Sequence, residues 1–288
     1  MCKKCNDTQT SHDNDSEEST LGYIEFLPKA GISNAEIGNW WLQNVDNLIG
    51  EKNWDYTDEQ IDKIFSTELN GDFRKDPLEG HLLKEHIKKS TNFMSCFTIV
   101  TLDDVNAVND KTLMLNDDFI NDMCKTGMNN NNKGFIFIPK KFITPFVKAL
   151  HNATITMNLT DGLNIKRSDL YFRKVSYLTN ECYKEKAIEQ ENYLNEKSIS
   201  LKDGMTVEQA NKESVLNEYL TSLDFAVTFK TKKYSLQREA RMGINFTNSY
   251  GHQNSNNEYI KLHSDAIVDM MTIGNSFSDL RNLSIKIK

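Results

Sequence analysis

Residues 230–241, KTKKYSLQREAR, carry the side chains of this chain best suited to chemistry. Read as part of one strand, the segment sets Gln237, Glu239 and Arg241 at alternate positions and so on one face, with Arg238 and Ala240 on the other. An amide, a carboxylate and a guanidinium in a row can orient a polar substrate, stabilise a developing positive charge and pair with an anion. The same row also fits an exposed ladder whose opposite charges pair across a sheet. A cavity beside that face would decide for the first reading, bulk water for the second.

Other candidates carry less. The carboxylates Asp103, Asp104, Asp117, Asp118 and Asp122 suggest a divalent cation and hence a metal-dependent nuclease, but their irregular spacing suits solvated loop charge better, and no metal is expected. Cys2 and Cys5 form a lone CxxC without a second pair or two histidines at zinc spacing. Cys96 sits in an apolar run as a small buried group rather than a nucleophile. His81 and His86, five apart, do not share a helix face, and His252 lies in a polar loop. Trp40-Trp41 puts one ring in the core and the other at a rim. The exit of the Asn129–Asn132 loop, Lys133-Gly134, could approach a phosphate.

These side chains must be positioned by a chain of 288 residues, long enough for a substantial core. Its formal charge of −7 speaks against nonspecific nucleic-acid binding through a broad basic surface. No apolar run reaches bilayer length and the N-terminus lacks a signal-type apolar stretch, so the expected setting is a cytoplasm, with reduced cysteines and no membrane partner. Residues 1–20 read as a disordered acidic tail and residues 21–288 as one domain, with order beginning near residues 21–26.

Three early helices are expected. The first carries Ile37, Trp41, Val45 and Ile49 as one stripe. The second is capped by Thr57 with Gln60 and ends at Gly71. The third starts at Asp76-Pro77. Apolar runs at 92–100 and 134–138 read as central strands, 143–151 as a helix, 171–178 as a strand and 181–197 as a polar helix. A helix capped by Thr206 with Gln209 follows, and then strands at 225–230, 234–246 and 259–262. Helices early and strands late give an α+β fold: N-terminal helices followed by a mostly antiparallel or mixed sheet with helical insertions. There is neither a P-loop nor a dinucleotide glycine fingerprint.

The order of motifs resembles a widespread bacterial family of uncharacterised domains, often encoded near phage-defence or mobile-element genes. The matching segments are Asp76-Pro77-Leu78-Glu79, Cys96-Phe97-Thr98, Leu113-Met114-Leu115, Gly134-Phe135-Ile136, Val175-Ser176-Tyr177 and Lys230…Tyr234-x-x-Gln237-x-Glu239-x-Arg241. Ile267-Val268…Ile273-Gly274 resembles that family's closing strand and glycine. Leu115 and Tyr234 stand where the family has Trp, Thr98 where it has Ser, and Gln237 where it has Glu.

A late strand with Gln-x-Glu, preceded by a strand of Ser-x-Phe character, is in turn similar to the ADP-ribosyltransferase pattern. That resemblance implies NAD as co-substrate and an unidentified macromolecular acceptor, protein or nucleic acid, in a phage-defence or toxin context. Glu239 would hold the ribose as the nicotinamide bond breaks, and Gln237 would orient the acceptor. Ser95 or Thr98 would hold the nicotinamide ribose or amide, Tyr177 or Tyr234 would stack on the leaving ring, and Arg241 would pair with Glu239 or a phosphate. A carboxylate suits an oxocarbenium-like state, which gains from fixed negative charge and a strong acceptor. The pattern's early Arg or His has no clear counterpart, because Arg74 falls between helices. A non-catalytic sensor or interaction domain on the same scaffold is the alternative of a different class.

Overall fold

The computed structural model describes residues 19–45, 56–68, 76–78, 81–82, 92–129, 132–156, 166–202, 206, 209, 214–247 and 259–287. The expected tail up to residue 18, the helix stop at Gly71, His86, His252 and most of the third expected helix lie outside these residues.

The elements run β1 (Thr20–Pro28), α1 (Lys29–Ala35), β2 (Asn39–Asn44), α2 (Asp58–Ser66), β3 (Asn92–Thr101), β4 (Val105–Asn109), β5 (Thr112–Leu115) and α3 (Asp117–Lys125). Next come β6 (Lys133–Pro139), α4 (Lys140–His151), β7 (Thr154–Thr156), β8 (Lys166–Arg167), β9 (Tyr171–Lys174), β10 (Ser176–Leu178), α5 (Asn180–Lys202) and α6 (Val215–Ala226). The chain closes with β11 (Phe229–Thr231), β12 (Glu239–Thr247), β13 (Tyr259–His263), β14 (Thr272–Gly274) and β15 (Ser284–Lys286). The fold is α+β, its described strands paired antiparallel except β10 with β11.

The capping box of Thr57 with Gln60 forms as the sequence implies and starts α2. Thr206 and Gln209 likewise exchange bonds of 2.8 and 3.2 Å. One helix expectation is overturned. Trp40 and Trp41 lie in β2, which pairs with β13 from Asn39 opposite His263 to Gln43 opposite Tyr259. The four-residue spacing of Ile37, Trp41 and Val45 is therefore not a helix stripe: Trp40 and Leu42 are both buried on one side of a strand, and Ile37 is exposed. The cysteines are not uniformly reduced either, since Cys182 is disulfide-bonded while Cys96 and Cys124 lie outside any disulfide.

A ten-stranded sheet dominates the described residues. At its centre, β3 pairs along one edge with β12, from Thr98 opposite Glu239 to Asn92 opposite Asn245. Its other edge is shared. β1 takes Thr98 to Thr101, β2 takes Phe93 and Met94, and Ser95, Cys96 and Phe97 lie in the fork between them. One face carries Tyr23, Phe97, Ala240 and Met242 into a core completed by Phe146 and Leu150 of α4. The other face meets two separate apolar clusters. Ile24, Val100, Phe135 and Phe137 pack with α3, whereas Met94 and Tyr171 pack with α5 and α6. Strand alternation sets Thr98 and Glu239 on this second face. Across β12, Gly243 accommodates β9: a Cβ there would run into the Tyr171 hydroxyl and the Phe93 carbonyl.

Candidate functional site

The segment from Lys230 to Arg241 is not one strand. After β11 the chain makes a 3-10 turn over Lys232–Gln237, and Arg238 takes a left-handed conformation with φ 45° before β12 begins at Glu239. That conformation costs a non-glycine residue roughly 1–2 kcal/mol. It is held by the Ile99 N–H donating to the Arg238 carbonyl at 2.8 Å, the Arg238 N–H donating to Ser235 O at 3.0 Å, and ion pairs of the guanidinium with Asp104 and, at 3.4 Å, Asp122. The kink, not strand alternation, turns Gln237 back beside Glu239.

A lysine joins them. Lys230 Nζ donates to Gln237 Oε1 and to Glu239 Oε2, each at 2.7 Å. The other carboxylate oxygen, Oε1, accepts from Arg241 Nε at 2.5 Å, and Arg241 Nη1 donates to the Val227 carbonyl. All four side chains are buried. Burial by itself would raise the Glu239 pKa, but the Arg241 and Lys230 charges and their hydrogen bonds outweigh it and bring it down to about 2. Glu239 is therefore a fixed carboxylate at any physiological pH. Behind it, the Glu239 N–H donates to Tyr177 Oη at 2.9 Å, which anchors the first residue of β12.

A cavity of about 700 Å³ opens at the β3 fork, within the size range of small-molecule sites. Its lining brings Gln237, Glu239 and Lys230 together with Ser95 and Thr98. Cys96, half-buried and outside any disulfide, lines it as well. The Ser95 hydroxyl accepts from Trp40 Nε1 and donates to the Trp41 carbonyl, both at 3.0 Å, tying β2 to β3 where they begin to separate. Trp41 and Tyr259 form an aromatic edge to the cavity, ring centroids 4.4 Å apart, and Lys133 adds a cation.

The remaining residues proposed from sequence lie elsewhere. Tyr177 and Tyr234 are not among the lining residues, and Tyr234 is buried, so neither offers a ring to a ligand there. Arg241, 1% exposed and engaged with Glu239 and Val227, acts on the cavity only through Glu239. Asp104 and Asp122 meet at the Arg238 guanidinium, Asp104 also accepting from Thr101 and Asp122 also pairing with Lys125, whereas Asp117 pairs with Arg281.

Two lining residues have no role assigned from sequence. Lys230 enters only as the first residue of the Lys230…Arg241 motif. Glu25 was signalled by being the one charge in the apolar segment LGYIEFLP. Burial pushes the Glu25 carboxyl well above the ordinary range, opposed in part by the Ser95 hydroxyl. Glu25 stands opposite Ile136 of β6 and so projects from the first sheet face, Glu239 from the second; both reach one cavity because it occupies the fork. No family model, no curated protein and no solved structure matches the chain.

Proposed function

We propose that the chain transfers ADP-ribose from NAD to a macromolecular acceptor. One observation carries this reading: Glu239, held as a carboxylate with a pKa of about 2, lines the same cavity as Gln237, Ser95 and Thr98. Cleavage of the nicotinamide–ribose bond sends the bonding electrons to the leaving ring and leaves positive charge on the ribose. A pre-oriented carboxylate favours that state and accepts from a ribose hydroxyl without reorganising. Gln237, its Oε1 fixed by Lys230, stands beside Glu239 to orient the incoming nucleophile, which loses its proton as it bonds to the ribose carbon. Lys133 suits the pyrophosphate. The motif order supports a bacterial, cytoplasmic phage-defence or toxin setting.

A second reading has its own support. Both Glu239 oxygens already accept from cations, which fits a domain that binds a nucleotide-like ligand and leaves it intact. Calorimetry with NAD on the wild-type chain and on Glu239→Gln is the test. Transfer requires binding by the wild type together with nicotinamide release. Binding without release favours the sensor, and no binding removes both.

A further inference from the structure

The cavity holds a second carboxyl that ribose chemistry leaves unused. Glu25 is 6% exposed, lines the cavity, and its Oε2 is buried with no hydrogen-bond partner. Buried polar atoms in folded proteins almost always find partners, and leaving one without costs about 1–3 kcal/mol. A β-branched residue would fill the same strand position without that penalty. Oε2 is thus already stripped of water, and a ligand donor or acceptor that reaches it gains a hydrogen bond at little further desolvation.

The surroundings define what would fit. Burial favours the neutral form of the Glu25 carboxyl, and a neutral acid presents an O–H donor beside a C=O acceptor. That pair complements a planar group with a donor and an acceptor side by side, as in a primary carboxamide or the amino-imine edge of a purine. Flat walls are at hand in Trp41 and Tyr259, and the apolar floor of Phe26, Leu27 and Phe97 suits a ring better than a sugar. Ser95, bonded to Trp40 and to the Trp41 carbonyl, ties β2 to β3 and also lies beside the Glu25 carboxyl.

Resting on the NAD reading above, we propose that Glu25 is the specificity residue of the cavity. It binds the donor–acceptor edge of a planar heterocycle while Glu239 faces the sugar. The two sources of such an edge in NAD are the nicotinamide carboxamide and the adenine.

Binding of nicotinamide against 3-acetylpyridine, and of adenosine against purine riboside, separates them, since the second compound of each pair carries a methyl group or a hydrogen where the first has its amino group. For one of the two pairs the wild-type chain should prefer the amino-bearing member by about tenfold or more, the ratio expected for one buried hydrogen bond. Glu25→Gln, which keeps a donor beside an acceptor, should hold affinity within about threefold. Glu25→Leu should lose about tenfold and, with it, the preference. Thermal unfolding of each variant checks folding, and Glu25→Met replaces Glu25→Leu should the latter not fold. Equal binding within both pairs, an unchanged preference without the carboxyl, or no binding of any probe overturns the proposal. Nicotinamide release from NAD, measured on the same wild-type preparation, keeps the two ideas apart. Glu25-dependent preference without release sinks transfer alone; release without the preference sinks the role of Glu25 alone.

Discussion

Replacing Lys230 tests whether the buried Lys230–Glu239–Arg241 cluster is a coupled unit. Lys230→Met removes the cation from Glu239 Oε2 and from Gln237 Oε1, both 2.7 Å away, in a place where the lysine side chain is only 4% exposed. Breaking a buried pair by removing one partner costs about 3–5 kcal/mol. Arg241 still holds Oε1, so the lower end, about 3 kcal/mol, applies. Glu239→Gln leaves two buried cations without their counter-charge and should cost a similar amount. The double variant removes both opposed charges, so its cost should fall short of the sum by about 1.5 kcal/mol or more. Urea unfolding of the four proteins measures this from midpoints at a common slope. Costs that add to within about 0.5 kcal/mol would refute the coupling and detach Lys230 from the site.

Acid titration follows from the same cluster. The folded pKa of Glu239, about 2, lies below the ordinary 4.5, so its contribution is complete above pH 4.5 and is lost as pH falls toward 2. That loss is roughly 3 kcal/mol, and urea midpoints from pH 6 to pH 2 should show a steeper decline in the wild type than in Glu239→Gln. At Gly243, alanine should destabilise by about 1–3 kcal/mol because its Cβ meets Tyr171 and the Phe93 carbonyl; a thermal midpoint equal to the wild type's would contradict the packing of β9 on β12. At Arg238, glycine and alanine both remove the ion pairs, but glycine relieves the left-handed backbone. Arg238→Gly should therefore be more stable than Arg238→Ala by about 1 kcal/mol in urea unfolding, and the reverse order would argue against the kink.

Much of the scaffold is legible from local chemistry. β3 and β6 are short β-branched and aromatic runs, and α2 is announced by its capping box, because such signals act over a few residues and survive tertiary packing. Trp40-Trp41 misleads for a physical reason. In so short an apolar run the four-residue spacing of Ile37, Trp41 and Val45 imitates a helix, and only the pairing with β13, more than 200 residues away, makes it a strand. The site is half legible. Glu239 and Arg241 do share a strand face, but Gln237 reaches them through a 3-10 turn and a left-handed Arg238 that no periodicity reports. Lys230 and Glu25 become meaningful only once β11 and β1 are brought to the β3 fork, a long-range event with no local signature. The aromatic rings of Tyr177 and Tyr234 suggest ligand contacts by residue type alone, whereas a backbone bond engages Tyr177 and burial encloses Tyr234.

Nicotinamide release from NAD by the full chain, followed with cell lysate as acceptor source, bears most directly on the role of Glu239. The wild type should release nicotinamide and label an acceptor, and Glu239→Gln should release it about a hundredfold more slowly or worse, the scale of losing one pre-oriented charge in a buried site. An intact NAD pool with the wild type, or equal release by Glu239→Gln at a temperature where it is fully folded, would contradict a catalytic Glu239.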